Sequence, residues 1–231
     1  MEYASGGNLH DLMIEQSQKR FAEPQAAKFV FELCSALAYC HALKVIHRDI
    51  KPENLVLDEE GSLKVTDFGS CVHSRDSNGF WKLQSTVCGT LDYLAPELVE
   101  EKLYKETVDC WCVGILCFEL LTGKPPFAKP SPADTKRAIV HNDITFPSFV
   151  SPTAKDLIRR VCILAFFSVV AFAPAVLIRS IFCFQLLFKD PAGRLAMEQA
   201  LEHPWIKEHI GLEKRKEALE RIPLIFSPQP S

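Results

Sequence analysis

The sequence predicts a mainly helical domain with a few short strands, in which polar loops carry the chemistry. Three observations predict it. Residues 107–122 are apolar nearly all round (Val113, Ile115, Leu116, Phe118, Leu120, Leu121), the pattern of a helix buried at the centre of a fold. Residues 24–43 place Phe29, Leu33, Leu37 and then Cys40 or His41 at i, i+4 spacing, the stripe of a core helix, and Pro24 suits its first turn. Between them, Val45-Ile46, Leu55-Val56-Leu57 and Leu63-Lys64-Val65 read as short strands, with Asp58-Glu59-Glu60-Gly61 as the turn joining the last two.

The remaining elements follow in order. Gly6-Gly7 is a turn. Gly123 stops the central helix and Pro125-Pro126 follow it. Asp134 to His141 reads as a short surface helix. A further helix starts at Thr153, with Ala154, Leu157, Ile158 and Val161 on one face. Ala196 to His209 reads as one closing helix with Trp205 in the core. Glu213 to Arg221 is a charge run of helical composition, a solvated face, and Pro223, Pro228 and Pro230 mark a loose tail.

Bulk properties exclude several function classes. A chain of 231 residues makes one large domain or two small ones, and a formal charge of -3 gives no case for nucleic-acid binding. Nine cysteines are many, but Cys34, Cys40 and Cys117 lie in apolar runs. Cys110 and Cys112 lack the paired histidines or cysteines of a zinc site. They read as buried, reduced small hydrophobes, hence an intracellular protein. Met1-Glu2-Tyr3 does not begin a secretory signal, and there is no internal repeat.

The chemistry concentrates in His47-Arg48-Asp49-Ile50-Lys51-Pro52-Glu53-Asn54 and Asp67-Phe68-Gly69, with Ala95-Pro96-Glu97 beyond. A carboxylate (Asp49) suits the orientation of an attacking hydroxyl. A cation (Lys51) suits a transferring phosphate, and the oxygens of Asn54 and Asp67 suit a hard Mg²⁺ ion. In this order and spacing the motifs resemble those of protein kinases. The resemblance implies the mainly α large (C-terminal) lobe of a kinase with short β-strands and the small lobe absent. The kinase domain would span 1–208 and a charged, Pro-containing tail 209–231.

What the resemblance implies can be placed residue by residue. Asp49 and Lys51 are the catalytic pair. The Glu2 carbonyl and Ala4 N–H meet adenine, and Lys51, Glu53, Asn54, Val56 and Asp67 complete the ATP site. Asn54 and Asp67 hold the metal. Thr90 aligns Asp49 and Lys51. Thr86 is the activation-loop phosphosite, and Arg48 would pair with its phosphate. His47 and Phe68 are packing residues rather than bases. Glu97, Arg194 and Asp109 are structural: Glu97 pairs with Arg194, and Asp109 anchors the catalytic loop.

A narrower resemblance, to the Aurora family of serine/threonine kinases, rests on Cys88-Gly89-Thr90-Leu91-Asp92-Tyr93-Leu94-Ala95-Pro96-Glu97. It also rests on Tyr39-Cys40-His41 and on Val108-Asp109-Cys110-Trp111-Cys112-Val113-Gly114. It implies ATP and Mg²⁺ as cofactors and protein substrates with Ser or Thr in basic context, read by Glu53 and Glu119. It implies spindle or centromere activator proteins as partners, and action in the cytoplasm, nucleus, spindle or centrosome. Ser70 departs from the family's tryptophan, Lys82-Leu83-Gln84-Ser85 lacks its arginines, and Asn8 stands where an acid is frequent. The 231 residues contain no glycine-rich phosphate loop and no strand lysine, so negligible phosphotransfer is expected of this chain alone. The alternative is a non-catalytic binding module that keeps the groove at Glu53 and Glu119.

Residues 161–188 break the pattern with a long apolar run. By length, 161–178 is a membrane-span candidate, but a single span would separate Glu97 from Arg194, and arginines flank both ends. Deleting 161–185 joins Arg160 to Leu186 and restores a continuous helix before Asp190-Pro191. Val161 (a GT codon) and Gln185 (CAG) allow a retained in-frame intron. A native core helix is the third reading. If translated, the stretch exposes an apolar patch and favours aggregation or membrane adsorption.

Overall fold

The computed structural model describes residues 4–75, 82–162 and 191–223. Glu2, the 76–81 part of the loop after Asp67, most of the 161–185 stretch and the tail beyond Pro223 lie outside them.

The fold is arranged around one helix, which α3 (Pro96–Val99) precedes and α5 (Pro132–His141) follows along the chain. α4 (Thr107–Thr122) matches the predicted span, and every residue from Val108 to Leu121 is buried. It ends where Gly123 adopts the left-handed conformation (φ 83°) and its N–H returns to the Glu119 carbonyl. α2 (Glu23–Ala42) packs along it through Phe29, Leu33 and Leu37. Residue 24 takes the first-turn position that tolerates a missing N–H.

α6 (Pro152–Cys162) packs against α4 at Gly114. A Cβ there would lie 2.1 Å from Cys162 Sγ and 2.7 Å from Val161 Cγ2, so only glycine lets the two helices approach this closely. Val161 and Cys162, the first residues of the apolar stretch, complete the buried face begun by Ala154, Leu157 and Ile158.

Among the described residues, two two-stranded antiparallel sheets frame the loops. β2 (Leu55–Leu57) pairs with β3 (Leu63–Val65), in register Val56↔Lys64, about the Asp58–Gly61 turn. β1 (Val45–Ile46) pairs with β4 (Val72–His73), a strand the sequence did not reveal. The amino-terminal segment is also tied to β2. Gly6 N donates to Leu57 O and Leu57 N to Gly7 O, both at 2.9 Å, and Asn8 then caps α1 (Leu9–Glu15) by accepting from Asp11 N.

Three helices depart from or refine the expected pattern. The closing helix expected over Ala196–His209 is two helices, α7 (Met197–Leu201) and α8 (Pro204–His209). Pro204 cannot continue a preceding helix, and the His203 side chain caps the new one at Trp205 N. α9 (Leu212–Glu220) is a helix, as its composition suggests, but not merely a solvated one. Arg215 is buried and bonds Glu202 at 2.6 Å and the Ile210 carbonyl at 3.2 Å.

The segment after the apolar stretch is locked to the core by a buried ion pair. The Arg194 guanidinium donates to both Glu97 oxygens (2.6 and 2.7 Å) and to the Thr107 carbonyl (2.9 Å), and it lies 5.2 Å from the Trp111 ring centroid. Leu195 N reaches Arg160 O at 2.9 Å, so the chain returns beside the end of α6. Glu97→Ala strands a buried guanidinium. We expect a loss of about 3–5 kcal/mol in urea unfolding, against under ~0.5 kcal/mol for an exposed control such as Glu100→Ala.

Candidate active site

A single buried carboxylate shapes the catalytic loop. Asp109, in the first turn of α4, accepts from His47 N (2.9 Å), Arg48 N (2.8 Å) and His41 Nε2 (2.8 Å). Burial alone would raise its carboxyl. The hydrogen bonds from His41 and from the Arg48 and His47 N–H groups outweigh that and hold it below the ordinary value of 3.8. Arg48 is held at φ 72°, an uncommon conformation for a side-chain-bearing residue, at the point where Asp109 grips the backbone.

His47 has no spare valence for acid–base work. Its Nε2 meets the Thr66 carbonyl at 3.0 Å and must donate, while its Nδ1 accepts from Asp49 N at 3.3 Å. The ring is therefore the neutral Nε2–H tautomer, fully buried and edge-on to Phe68 at 5.0 Å. Phe68, read as a packing residue, meets the His47 ring and remains half exposed.

The residues expected to act on substrate converge beyond this anchor. Asp49 Oδ2 lies 3.0 Å from Lys51 Nζ and accepts from Asn54 Nδ2 at 3.0 Å. The same amide nitrogen also bonds the Asp49 carbonyl at 2.8 Å, so the Asn54 oxygen is turned outward from this contact. Thr90 Oγ1 sits 3.1 Å from Lys51 Nζ and 3.4 Å from Asp49 Oδ1. Thr66 donates its N–H (2.9 Å) and hydroxyl (3.0 Å) to the Asn54 carbonyl, which ties the loop to Asp67 one residue on. Asp67 adopts φ 60° and accepts from Gly69 N at 3.4 Å. An open cleft of about 680 Å³ is lined by Ala4, Val56, Thr66, Asp67 and Phe68 and reaches Tyr39 and Cys40 on α2.

The donor chemistry fits a Mg²⁺ ion with a nucleotide phosphate. Among the described residues no group of three or more His, Cys, Asp or Glu is set to hold a metal. Mg²⁺ shared with phosphate and water takes only one or two protein oxygens, which Asn54 and Asp67 provide.

Other predicted residues are placed as follows. Glu53 is exposed. Glu119 is buried and accepts from the Tyr93 hydroxyl. Burial pushes the Glu119 carboxyl above its ordinary value, and Glu53 and Asp92 add to this against the Tyr93 bond. Thr86 is exposed. The Arg48 guanidinium binds the Ser70 carbonyl (2.6 Å) and the Tyr104 hydroxyl (2.9 Å). Sequence reasoning assigned no role to Tyr93 or Tyr104, because each meets its partner across a long stretch of chain, Tyr93 to Glu119 and Tyr104 to Arg48. Among the described residues no helix is long and apolar enough to cross a membrane.

The family described as protein kinase domain matches residues 1–206. The chain belongs to the protein kinase family. Its relatives include an Aurora kinase of Patiria pectinifera, 42% identical over 91% of this chain and 44% of that protein. Aurora kinase C of Mus musculus is 42% identical over 90% and 64% respectively, and Aurora kinase A-A of Xenopus laevis 40% over 95% and 46%. These agree with the Aurora resemblance read from 88–97. The chain spans from under half to about two thirds of the length of these three curated relatives.

The kinase loop predicts a pH signature. Because the folded Asp109 carboxyl lies below 3.8, its contribution is complete above that value and is lost as pH falls through the lower folded value. Asp109→Asn should cost about 2–3 kcal/mol in neutral urea unfolding. The gap to wild type should narrow as the pH is taken below 3.8. A gap that stayed constant down to acid pH would contradict the assignment.

Proposed function

We propose that this domain transfers the γ-phosphate of ATP to serine or threonine in protein substrates. The observation that carries the reading is the convergence of Lys51, Asn54 and Thr90 within hydrogen-bonding distance of the Asp49 carboxylate. Asp49 orients the attacking hydroxyl and accepts its hydrogen bond. Lys51 places its ammonium where charge develops on the transferring phosphate, and Thr90 holds both side chains in register. Asn54 and Asp67 bind Mg²⁺, which when bound neutralises phosphate charge. Ala4 and Val56 line the nucleotide cleft, with Glu2 the further hinge contact outside the described residues.

The substrate class follows from the acids. Glu53 at the surface and Glu119 beneath it suit an arginine or lysine near the accepting hydroxyl, hence a basic sequence context. A bound guanidinium would favour the charged Glu119, so basic peptides should bind better as pH rises past the ordinary carboxyl value of 4.5. The resemblance to Aurora kinases extends the reading to intracellular sites (cytoplasm, nucleus, spindle or centrosome) and to protein activators as partners. A second reading is a non-catalytic module that binds basic proteins through the same acids, the exposed Glu53 and the buried Glu119.

The deciding experiment is transfer of labelled γ-phosphate to a serine peptide with arginine on its amino-terminal side, using this chain and any longer product that contains it. Asp49→Asn should lower kcat by roughly 10²–10⁴-fold. Glu119→Gln should raise KM roughly 10–100-fold with kcat little changed. No transfer by either protein, with peptide binding retained and weakened by Glu119→Gln, would replace the kinase reading with the binding module.

A further inference from the structure

The phosphate-pairing residue of the catalytic loop already has a ligand. Arg48 gives Nη1 to the hydroxyl of Tyr104 at 2.9 Å and Nε to the Ser70 carbonyl at 2.6 Å. The Tyr104 hydroxyl in turn donates to the Thr86 carbonyl at 2.7 Å. One hydroxyl thus bridges the catalytic loop to the activation segment at the residue that would carry a phosphate. Its ring is buried, 2% exposed, so the bridge is built into the fold rather than laid on the surface.

The backbone around it makes the same connection. Gln84 and Tyr104 exchange hydrogen bonds, N to O in both directions, at 3.2 and 3.1 Å. Gln84 is itself buried, and its amide donates to the His73 and Lys82 carbonyls at 3.2 and 3.0 Å. Lys82 N closes on the Ser74 carbonyl at 2.8 Å. The segment before Thr90 is therefore fixed by neutral donors and acceptors. A phosphate works differently: it orders a loop by charge, through arginine.

We propose that Tyr104 is a positioning residue. Its hydroxyl takes the place of an activation-loop phosphate on Arg48 and holds residues 82–90 so that Thr90 reaches Asp49 and Lys51 while Thr86 is unmodified. The inference deepens the proposed kinase function, on which its catalytic consequence rests, but the tether itself is independent of activity. It assigns Thr86 two separable parts. The carbonyl is held by Tyr104, and the exposed hydroxyl is free to be modified without being required. Lys82-Leu83-Gln84-Ser85, without arginines before Thr86, fits a segment that does not depend on being phosphorylated.

The test is hydrogen–deuterium exchange of the unphosphorylated protein, without nucleotide or peptide, so that failure of the kinase reading cannot affect it. Peptides covering 82–90 and 103–105 should be protected in wild type. Tyr104→Phe keeps the ring and removes the hydroxyl, and exchange there should rise roughly tenfold while α4 peptides stay unchanged as the internal control. Thr86→Val keeps the carbonyl and should match wild type. Phosphorylation of Thr86 by an added kinase should restore protection in Tyr104→Phe and change wild type little, a rescue that a purely structural tyrosine would not show. Should Tyr104→Phe lower protection in α4 as well, unphosphorylated wild type and Thr86→Val carry the test. Unprotected 82–90 in either would overturn the proposal. So would equal exchange in wild type and a folded Tyr104→Phe, or a Tyr104→Phe segment that phosphate does not restore.

Discussion

The site depends on a carboxylate that never touches a substrate. Asp109 lies fully buried in the first turn of α4, where the aligned helix N–H groups favour negative charge. It spends its oxygens on two consecutive backbone N–H groups, those of His47 and Arg48, and on the His41 ring. That grip holds Arg48 in its left-handed conformation and sets the direction in which Asp49 and Lys51 leave the loop. Without it, a loop of this polarity has no reason to prefer the strained conformation over an extended one.

The scaffold explains why such a charge is tolerated. α4 is apolar on every face and enclosed by α2 and α6, so the end of the helix is rigid and its polar first turn has fixed partners. The Glu97–Arg194 pair repeats the arrangement nearby: two charges removed from water, with both Glu97 oxygens met by the guanidinium. His47 joins the two loops, its Nε2 donating to the Thr66 carbonyl and its Nδ1 accepting from Asp49 N, which aligns the turn at Asp67 with the loop at Asp49.

Much of this was readable in the sequence, for physical reasons. α4 declared itself because sixteen helical residues with hardly a polar face end at a glycine. The chemical groups declared themselves because each loop is contiguous, so type and spacing carry the meaning. What stayed hidden was either short or distant. β4 is two residues long and exists only through its pairing with β1. α1 is seven residues long, opened by the Asn8 cap, and its buried pair Leu9 and Met13 is too short a stripe to read from the sequence. The break at His203-Pro204 was visible in the letters, but the apolar pattern ran through it. Tyr93 on Glu119 and Tyr104 on Arg48 are couplings across 26 and 56 residues, which no local pattern encodes.

The central claim, that Asp109 holds the catalytic loop in its working conformation, is tested most directly by amide exchange at His47 and Arg48, read by NMR in wild type and Asp109→Asn. The account predicts slow exchange at both amides in wild type. It predicts fast exchange at both in the variant, with the α2 and α4 amides still protected. Equal protection of the two amides in both proteins would show that the loop holds its shape without the carboxylate, and would contradict the account.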